Sequence, residues 1–205
     1  MTIYLIRHGE TALNVARVVQ PADTPLSARG QMQAQALGTR LAALGIRAVL
    51  SSDLPRALQT AQAVGRACGL AVATSALLHE RNFGDWRGQA YDGLGFDPIT
   101  QDDTPPNGES MAVFETRCAA AWTELLACHA AIQGPLAVVC HGLVLRSWLH
   151  RGPLTLDAST PAPHRLGNTS VTITSATVPH QVSLVNCTAH LTGPLAEDER
   201  SLSGG

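Results

Sequence analysis

Charge is scarce in this 205-residue chain: 14 Lys and Arg stand against 16 Asp and Glu, a formal net charge of −2. No basic run is present to neutralise a phosphate backbone, which argues against nucleic acid as a partner. No apolar stretch approaches the ~20 residues that a bilayer-spanning helix needs, which argues against a membrane protein. The start of the chain lacks a signal-peptide layout, because Arg7 interrupts the apolar stretch almost at once. The five cysteines (Cys68, Cys118, Cys128, Cys140 and Cys187) are odd in number, scattered and without CxxC spacing. Neither a disulfide frame nor a zinc site is expected from them; they read as reduced thiols of a cytoplasmic protein. Cys140 precedes His141, but it closes the apolar run 136–140, and a core thiol is the expected reading. HExxH spacing and a clustered His/Asp set are both missing, so no metal and no cofactor are expected.

What remains describes one globular domain. Hydrophobic residues make up 45% of the chain and charged ones 15%, enough for a substantial core. Residues 1–192 are expected to form a single catalytic domain, and 193–205, which lack apolar pattern, a flexible tail. The segment 3–6 reads as a buried strand. Residues 27–44 carry Met32, Leu37, Leu41 and Leu44 at helical spacing, with Ser27 as N-cap and Gly45 as the stop. Strands are expected at 48–51, 70–73, 136–140, 171–174 and 182–185. Helices are expected from Pro55 to the stop at Gly69, over 109–131, and from 142 to 150. Between them, 81–108 is rich in Gly, Pro, Asp and Asn and reads as a long irregular excursion, of the kind that walls a binding site. Strands alternating with helices predict an α/β fold: a three-layer sandwich with a mostly parallel central sheet and helices on both faces.

Chemistry-bearing residues follow four of these strands. Arg7 and His8 end the first, and Gly9 breaks the pattern after them. The run 51–56 leaves the second and puts Arg56 in the first turn of a helix, where backbone N–H groups also favour an anion. Glu80 comes after the third, and His141-Gly142 ends the fourth. In a parallel sheet these ends share one edge, where ligands bind in open α/β sheets. Two Arg, two His and a Glu can therefore converge there. Taken singly each has a plain structural explanation; taken together they suit an anion such as a phosphoryl group.

At this point the sequence resembles the histidine phosphatase superfamily, in its phosphoglycerate mutase-like branch. The likeness is carried by Arg7-His8-Gly9-Glu10-Thr11 with Asn14, by Asp23-Thr24-Pro25-Leu26-Ser27 with Gly30, and by 51–61. It continues in Glu80 with Phe83-Gly84-Asp85-Trp86, in Asn107-Gly108-Glu109-Ser110, in His141-Gly142 and in Asn168-Thr169-Ser170. The resemblance implies a phosphoglycerate mutase-like fold and a phosphohistidine at His8. It implies that Arg7, Arg56 and His141 hold the phosphoryl group, with Glu80 as proton donor. Asn14 is implied as a further phosphate ligand, with Thr11, Gln20 and Gly142 as pocket residues.

Phosphoryl transfer is mainly positioning plus neutralisation of charge on the equatorial oxygens, which two guanidiniums and an imidazole supply here without a metal. His8 must be neutral at its attacking nitrogen, and a protonated His141 would add positive charge. Glu80 must begin protonated. Two departures from the family pattern stand out. Arg87 replaces a frequent Glu, either to serve a polyanionic substrate or as a solvated rim residue, and Leu13 replaces a frequent aromatic. Between Gly88 and Arg117 the chain has no Lys or Arg but does have Asp92, Asp97, Asp102 and Asp103. A mutase needs cations there to grip the far end of its substrate. The expected activity is therefore hydrolysis of phosphomonoesters of small metabolites, with mutase-type transfer and phosphoprotein phosphatase as alternatives. A metal-dependent hydrolase lacks its motif, and a non-catalytic phosphate-binding module would not need His8 and Glu80. A homodimer is left open.

Overall fold

The computed structural model describes residues 2–163 and 165–196. Strands and helices follow in the order β1 (Thr2–Arg7), α1 (Ala12–Val15), α2 (Ala28–Ala42), β2 (Ala48–Ser51), α3 (Pro55–Cys68) and β3 (Val72–Thr74). They continue with α4 (Tyr91–Leu94), α5 (Met111–Ala131), β4 (Leu136–Cys140), α6 (Gly142–His150), β5 (Val171–Ser175) and β6 (Val182–Cys187). The six strands form one sheet in the order β3-β2-β4-β1-β5-β6. β1 to β4 run parallel to one another, while β5 is antiparallel to β1 and β6 to β5. The carboxyl ends of the four parallel strands therefore share one edge of the sheet.

Period-two alternation sends successive side chains of the central strands to opposite cores. Ile3 and Leu5 of β1, with Leu136 and Val138 of β4, pack against Phe114 and Leu125 of α5 and Trp148 of α6. Tyr4 and Ile6, with Ala137 and Val139, pack against Leu37 and Leu41 of α2 and Ala57, Ala61 and Val64 of α3. Both faces are thus covered, and 3–6 of β1 and 136–140 of β4 are apolar because neither face meets water. Each fully buried Leu, Ile or Val side chain contributes about 1.5–3 kcal/mol before entropy is counted.

Several expected boundaries shift for local reasons. In α2 the buried positions are Gly30, Gln33, Ala34, Leu37, Gly38 and Leu41, while Met32 and Leu44 are 49% and 38% exposed. The face is chosen by close approach to α3: a Cβ on Gly38 would sit 2.9 Å from the Ala63 carbonyl oxygen. α2 ends at Ala42, and Leu44 donates back to Leu41. The third strand begins at Val72 instead of residue 70, because Gly69 takes a left-handed cap (φ 69°) and the Leu70 N–H closes it on the Gly65 carbonyl at 2.9 Å. The excursion 81–108 is irregular apart from a 3₁₀ turn at Gly84–Trp86 and the short α4. Gly193–Leu195, assigned above to the tail, forms a 3₁₀ turn, and Arg29 donates to the Ala196 carbonyl beside it. The rest of the expected tail, 197–205, lies outside the described residues. All five cysteines are free, with Cys118 and Cys140 buried. Among the described residues no helix is long and apolar enough to cross a membrane.

Candidate active site

The edge where β1 to β4 end is laced together by backbone. His8 donates its N–H to the Cys140 carbonyl at 3.0 Å, and Ser52 donates to Val139 at 3.0 Å. Thr169 N–H and Asn168 Nδ2 both donate to the His8 carbonyl, at 3.2 and 3.3 Å. Gly9 N–H donates to Thr60 Oγ1 at 3.0 Å, and that hydroxyl donates to the Arg56 carbonyl at 2.7 Å. The start of α3 is thereby tied to the residue after His8. Gly9 and Gly30 permit this close packing. A Cβ on Gly30 would lie 2.0 Å from the Glu10 carbonyl oxygen, and one on Gly9 2.8 Å from that of Gly30.

His8 is fully buried, and its Nδ1 lies 2.7 Å from the Gly9 carbonyl. A carbonyl only accepts, so Nδ1 carries the proton and Nε2 the lone pair. Burial, Arg56 and Arg7 together hold His8 well below the usual histidine range, so the ring is neutral. The His141 ring stands 5.2 Å away, centroid to centroid. Its Nε2 is 2.9 Å from Ser52 Oγ, and Ser52 Oγ accepts from Leu54 N–H at 3.3 Å. Burial and the neighbouring Arg56 and His8 push His141 well below its ordinary value as well. The protonated His141 considered from sequence is therefore not the state of the ligand-free site. A phosphoryl dianion would raise that pKa, and the neutral ring still offers one donor.

Glu80 is buried, and each of its oxygens accepts one backbone N–H: Oε1 from Arg81 at 2.9 Å, Oε2 from Leu143 at 3.1 Å. Burial raises its pKa against these two bonds and the fields of Arg56 and Arg117. A carboxyl group with lone pairs remaining can still take a proton there. Arg56 is almost wholly buried, and desolvation lowers it to about 10 despite Glu80. Its Nη1 donates to the Pro21 carbonyl at 3.3 Å. Arg7, also buried, donates through Nη1 to the Leu166 carbonyl. His8 Nε2, Arg56 Nε and His141 Nδ1 are all buried without a hydrogen-bond partner. Polar atoms in that condition cost free energy unless a ligand meets them, and three belong to one site.

The accessory residues are placed less uniformly. Thr11 and Asn14 form a capping box on α1. Asn14 Oδ1 accepts from Thr11 N–H at 3.1 Å, so an anion contact by Asn14 would run through its amide nitrogen. The Thr11 hydroxyl donates to Gln20 Oε1 at 2.8 Å; Thr11 orients Gln20 in this arrangement. Gly142 is the buried first residue of α6, directly after His141. Glu10, despite its place beside His8, is structural: it accepts from Ser27 at 2.8 Å and pairs with Arg29 at 2.7 Å. Three further residues were given no role from sequence, although 168–170 was among the matched motifs. Ser52 hydrogen-bonds the His141 ring, and Asn168 holds the His8 backbone. Tyr91 is buried, and that burial raises its pKa to about 12, against the field of Arg7 and with that of Glu80. One of only two tyrosines in the chain, set in a polar loop, was the available signal for it.

The profile of the histidine phosphatase superfamily, branch 1, matches residues 3–187, with all five candidate residues inside the match. The chain belongs to that superfamily. A probable phosphoglycerate mutase, GpmB, of Salmonella arizonae is 37% identical over 163 residues, 71% of each chain. Among solved structures, a mycobacterial glucosyl-3-phosphoglycerate phosphatase in complex with VO3 is 27% identical with a TM-score of 0.74, covering 90% of this chain and 98% of its own. A phosphoserine phosphatase from Entamoeba histolytica, solved with phosphoserine, is 27% identical with a TM-score of 0.73, covering 93% and 99%. The phosphoglycerate mutase-like architecture expected from sequence holds, and as a histidine phosphatase superfamily member the chain is an enzyme. Among the described residues no group of three His, Cys, Asp or Glu side chains could hold a metal ion.

Proposed function

We propose that this enzyme hydrolyses phosphomonoesters of small metabolites through a phosphohistidine at His8, without a metal or other cofactor. The observation that carries the reading is the His8 tautomer: Nδ1–H bound to the Gly9 carbonyl leaves the Nε2 lone pair buried, unpartnered and in the fields of Arg7 and Arg56. In the first step Nε2 attacks phosphorus, the bond to the ester oxygen breaks, and Glu80 gives its proton to the leaving alkoxide. In the second, water attacks the phosphohistidine, the N–P bond breaks, and Glu80 takes the proton from water. Arg7, Arg56 and His141 stabilise the charge on the equatorial oxygens, with Asn14 and Gln20 as further donors. The names of the two solved phosphatases support hydrolysis of metabolite esters.

Mutase-type transfer is the second reading, supported by the GpmB relative. It requires cations to hold the substrate's far end, and 88–116 contains none. Free thiols suit a reducing compartment, in keeping with a cytoplasmic enzyme. The test is a screen of phosphorylated metabolites for phosphate release, run with and without a chelator. Release that survives chelation and is inhibited by vanadate supports the proposal; recovery only on adding a divalent ion overturns the metal-independent mechanism.

A further inference from the structure

Arg87 is a cation without a counter-ion beside a site already rich in cations. The residue is half-buried, and its Nε is buried without a hydrogen-bond partner. It enters none of the ion pairs among the described residues. The acid whose field reaches it is Glu109, and Glu109 is already gripped by Arg117, through Nε at 2.9 Å and Nη2 at 2.7 Å. Arg81, the other cation next to the acid Glu80, is occupied as well. Its guanidinium donates to the carbonyls of Glu109, Gln101 and Asp103 at 3.1, 2.9 and 2.7 Å, holding the excursion in place.

Backbone pairing fixes where Arg87 stands. Gly88 N–H donates to the Val19 carbonyl at 2.7 Å, and Val19 N–H to Gln89 at 2.9 Å. Two residues after Val19, the Pro21 carbonyl accepts from Arg56. Arg87 therefore flanks the rung that leads to Arg56, and its charge is one of the fields that lower Arg56. Two guanidiniums within reach of one another's field oppose folding unless a ligand brings more than one negative group.

The geometry points to Arg87 as a specificity-determining residue that takes a carboxylate on the leaving group of a substrate whose phosphoryl group sits at Arg56. This rests on the phosphatase reading above. One planar fork matches one carboxylate. A second phosphate would call for several cations, and 88–116 supplies none. The substrate class is thus small phosphorylated acids.

Binding of non-hydrolysable phosphonates tests this apart from turnover. By titration calorimetry, the enzyme should bind 3-phosphonopropionate about 10- to 100-fold more tightly than propylphosphonate, the range a charge-assisted hydrogen bond supplies. Arg87→Gln should shrink that ratio to about threefold or less, Arg87→Lys, which keeps the charge but not the fork, should give an intermediate ratio, and Arg87→Glu should turn the preference to 2-aminoethylphosphonate. Thermal melts confirm that the variants fold. A ratio near one in the wild type, or a ratio that survives Arg87→Gln, overturns the proposal. Matched phosphate esters are assayed in parallel. Phosphate release without the binding preference sinks the carboxylate subsite alone; the preference without phosphate release sinks the phosphatase reading alone.

Discussion

The backbone N–H of Leu143 donates to Glu80 Oε2 over 3.1 Å, tying the acid that follows β3 to the first turn of the helix that follows His141. The carboxyl group is thereby held at the positive end of α6, two residues from an imidazole that contacts His8. Burial nevertheless raises its pKa, and the balance between the two effects sets when the acid is available.

That balance predicts a dependence on the leaving group. Proton donation matters most for a poor leaving group, so Glu80→Gln should slow hydrolysis of an alkyl phosphate by about 10²–10⁴-fold. An activated aryl phosphate should lose far less. The pH profile follows from the same residues. His8 is depressed, so the nucleophile stays neutral below the ordinary histidine range, while Glu80 is raised and keeps its proton above the ordinary carboxylate range. For the alkyl ester, kcat/KM should therefore peak on the acid side of neutrality and fall as Glu80 ionises. Equal losses on both substrates, or a profile still rising above pH ~8, would mean that another group donates the proton. Asp85 is a poor replacement, since Oδ2 accepts from Asn107 at 3.0 Å in the outer loop.

His8→Ala should abolish turnover and also the acid-labile label left by a radioactive substrate. The control is His141→Ala, which should weaken both without removing the label, because its ring donates to the phosphoryl group and does not attack it. Undiminished labelling in His8→Ala would reject the assignment of the nucleophile.

Gly30→Ala tests how the catalytic loop is packed. Alanine favours a helix interior over glycine by about 1 kcal/mol. Here its Cβ would lie 2.0 Å from the Glu10 carbonyl oxygen, which is backbone and cannot swing aside. Overpacking of this kind costs about 1–3 kcal/mol, so the clash should win. The variant should show a lower urea midpoint and, because Glu10 follows His8 by two residues, a reduced kcat. A variant at least as stable as the wild type would show that α2 shifts freely against the loop.

Much of this site was legible because apolar runs are short and sharply punctuated. The runs at 3–6 and 136–140 end in Arg7-His8 and His141, and a parallel arrangement puts both ends on one edge without knowledge of any contact. The unread parts depend on contacts between distant residues. Ser52 meets His141 across 89 positions, and Asn168 reaches His8 across 160. Nothing local in a serine announces such a partner, and 168–170 entered only as a motif of the resemblance, with no contact attached. The apolar spacing in α2 misplaced Met32 and Leu44 for a related reason: small residues facing α3, not large ones, decided which side of that helix is buried. The protonation state of His141 was not legible because it depends on the summed desolvation and fields of a closed site.

The last prediction separates hydrolysis from mutase activity. A mutase must keep its phosphohistidine from water and hold a bisphosphorylated intermediate while it reorients in the site, which requires a firm grip on that intermediate's second charged group. Arg81 cannot provide that grip, because three carbonyls of the excursion already occupy its guanidinium. Arg87 is the other cation near Glu80 in sequence, and one guanidinium can select a carboxylate without retaining a product against diffusion. Supplied with 3-phosphoglycerate and its bisphosphate primer, the enzyme should release inorganic phosphate faster than it forms 2-phosphoglycerate. Arg87→Gln should lower phosphate release from this acid without producing isomerisation. Rapid isomerisation with almost no free phosphate would reverse the assignment of reaction type. His8 and Glu80 would keep their roles in that case, because both reactions pass through the same phosphohistidine and differ only in what reaches it next.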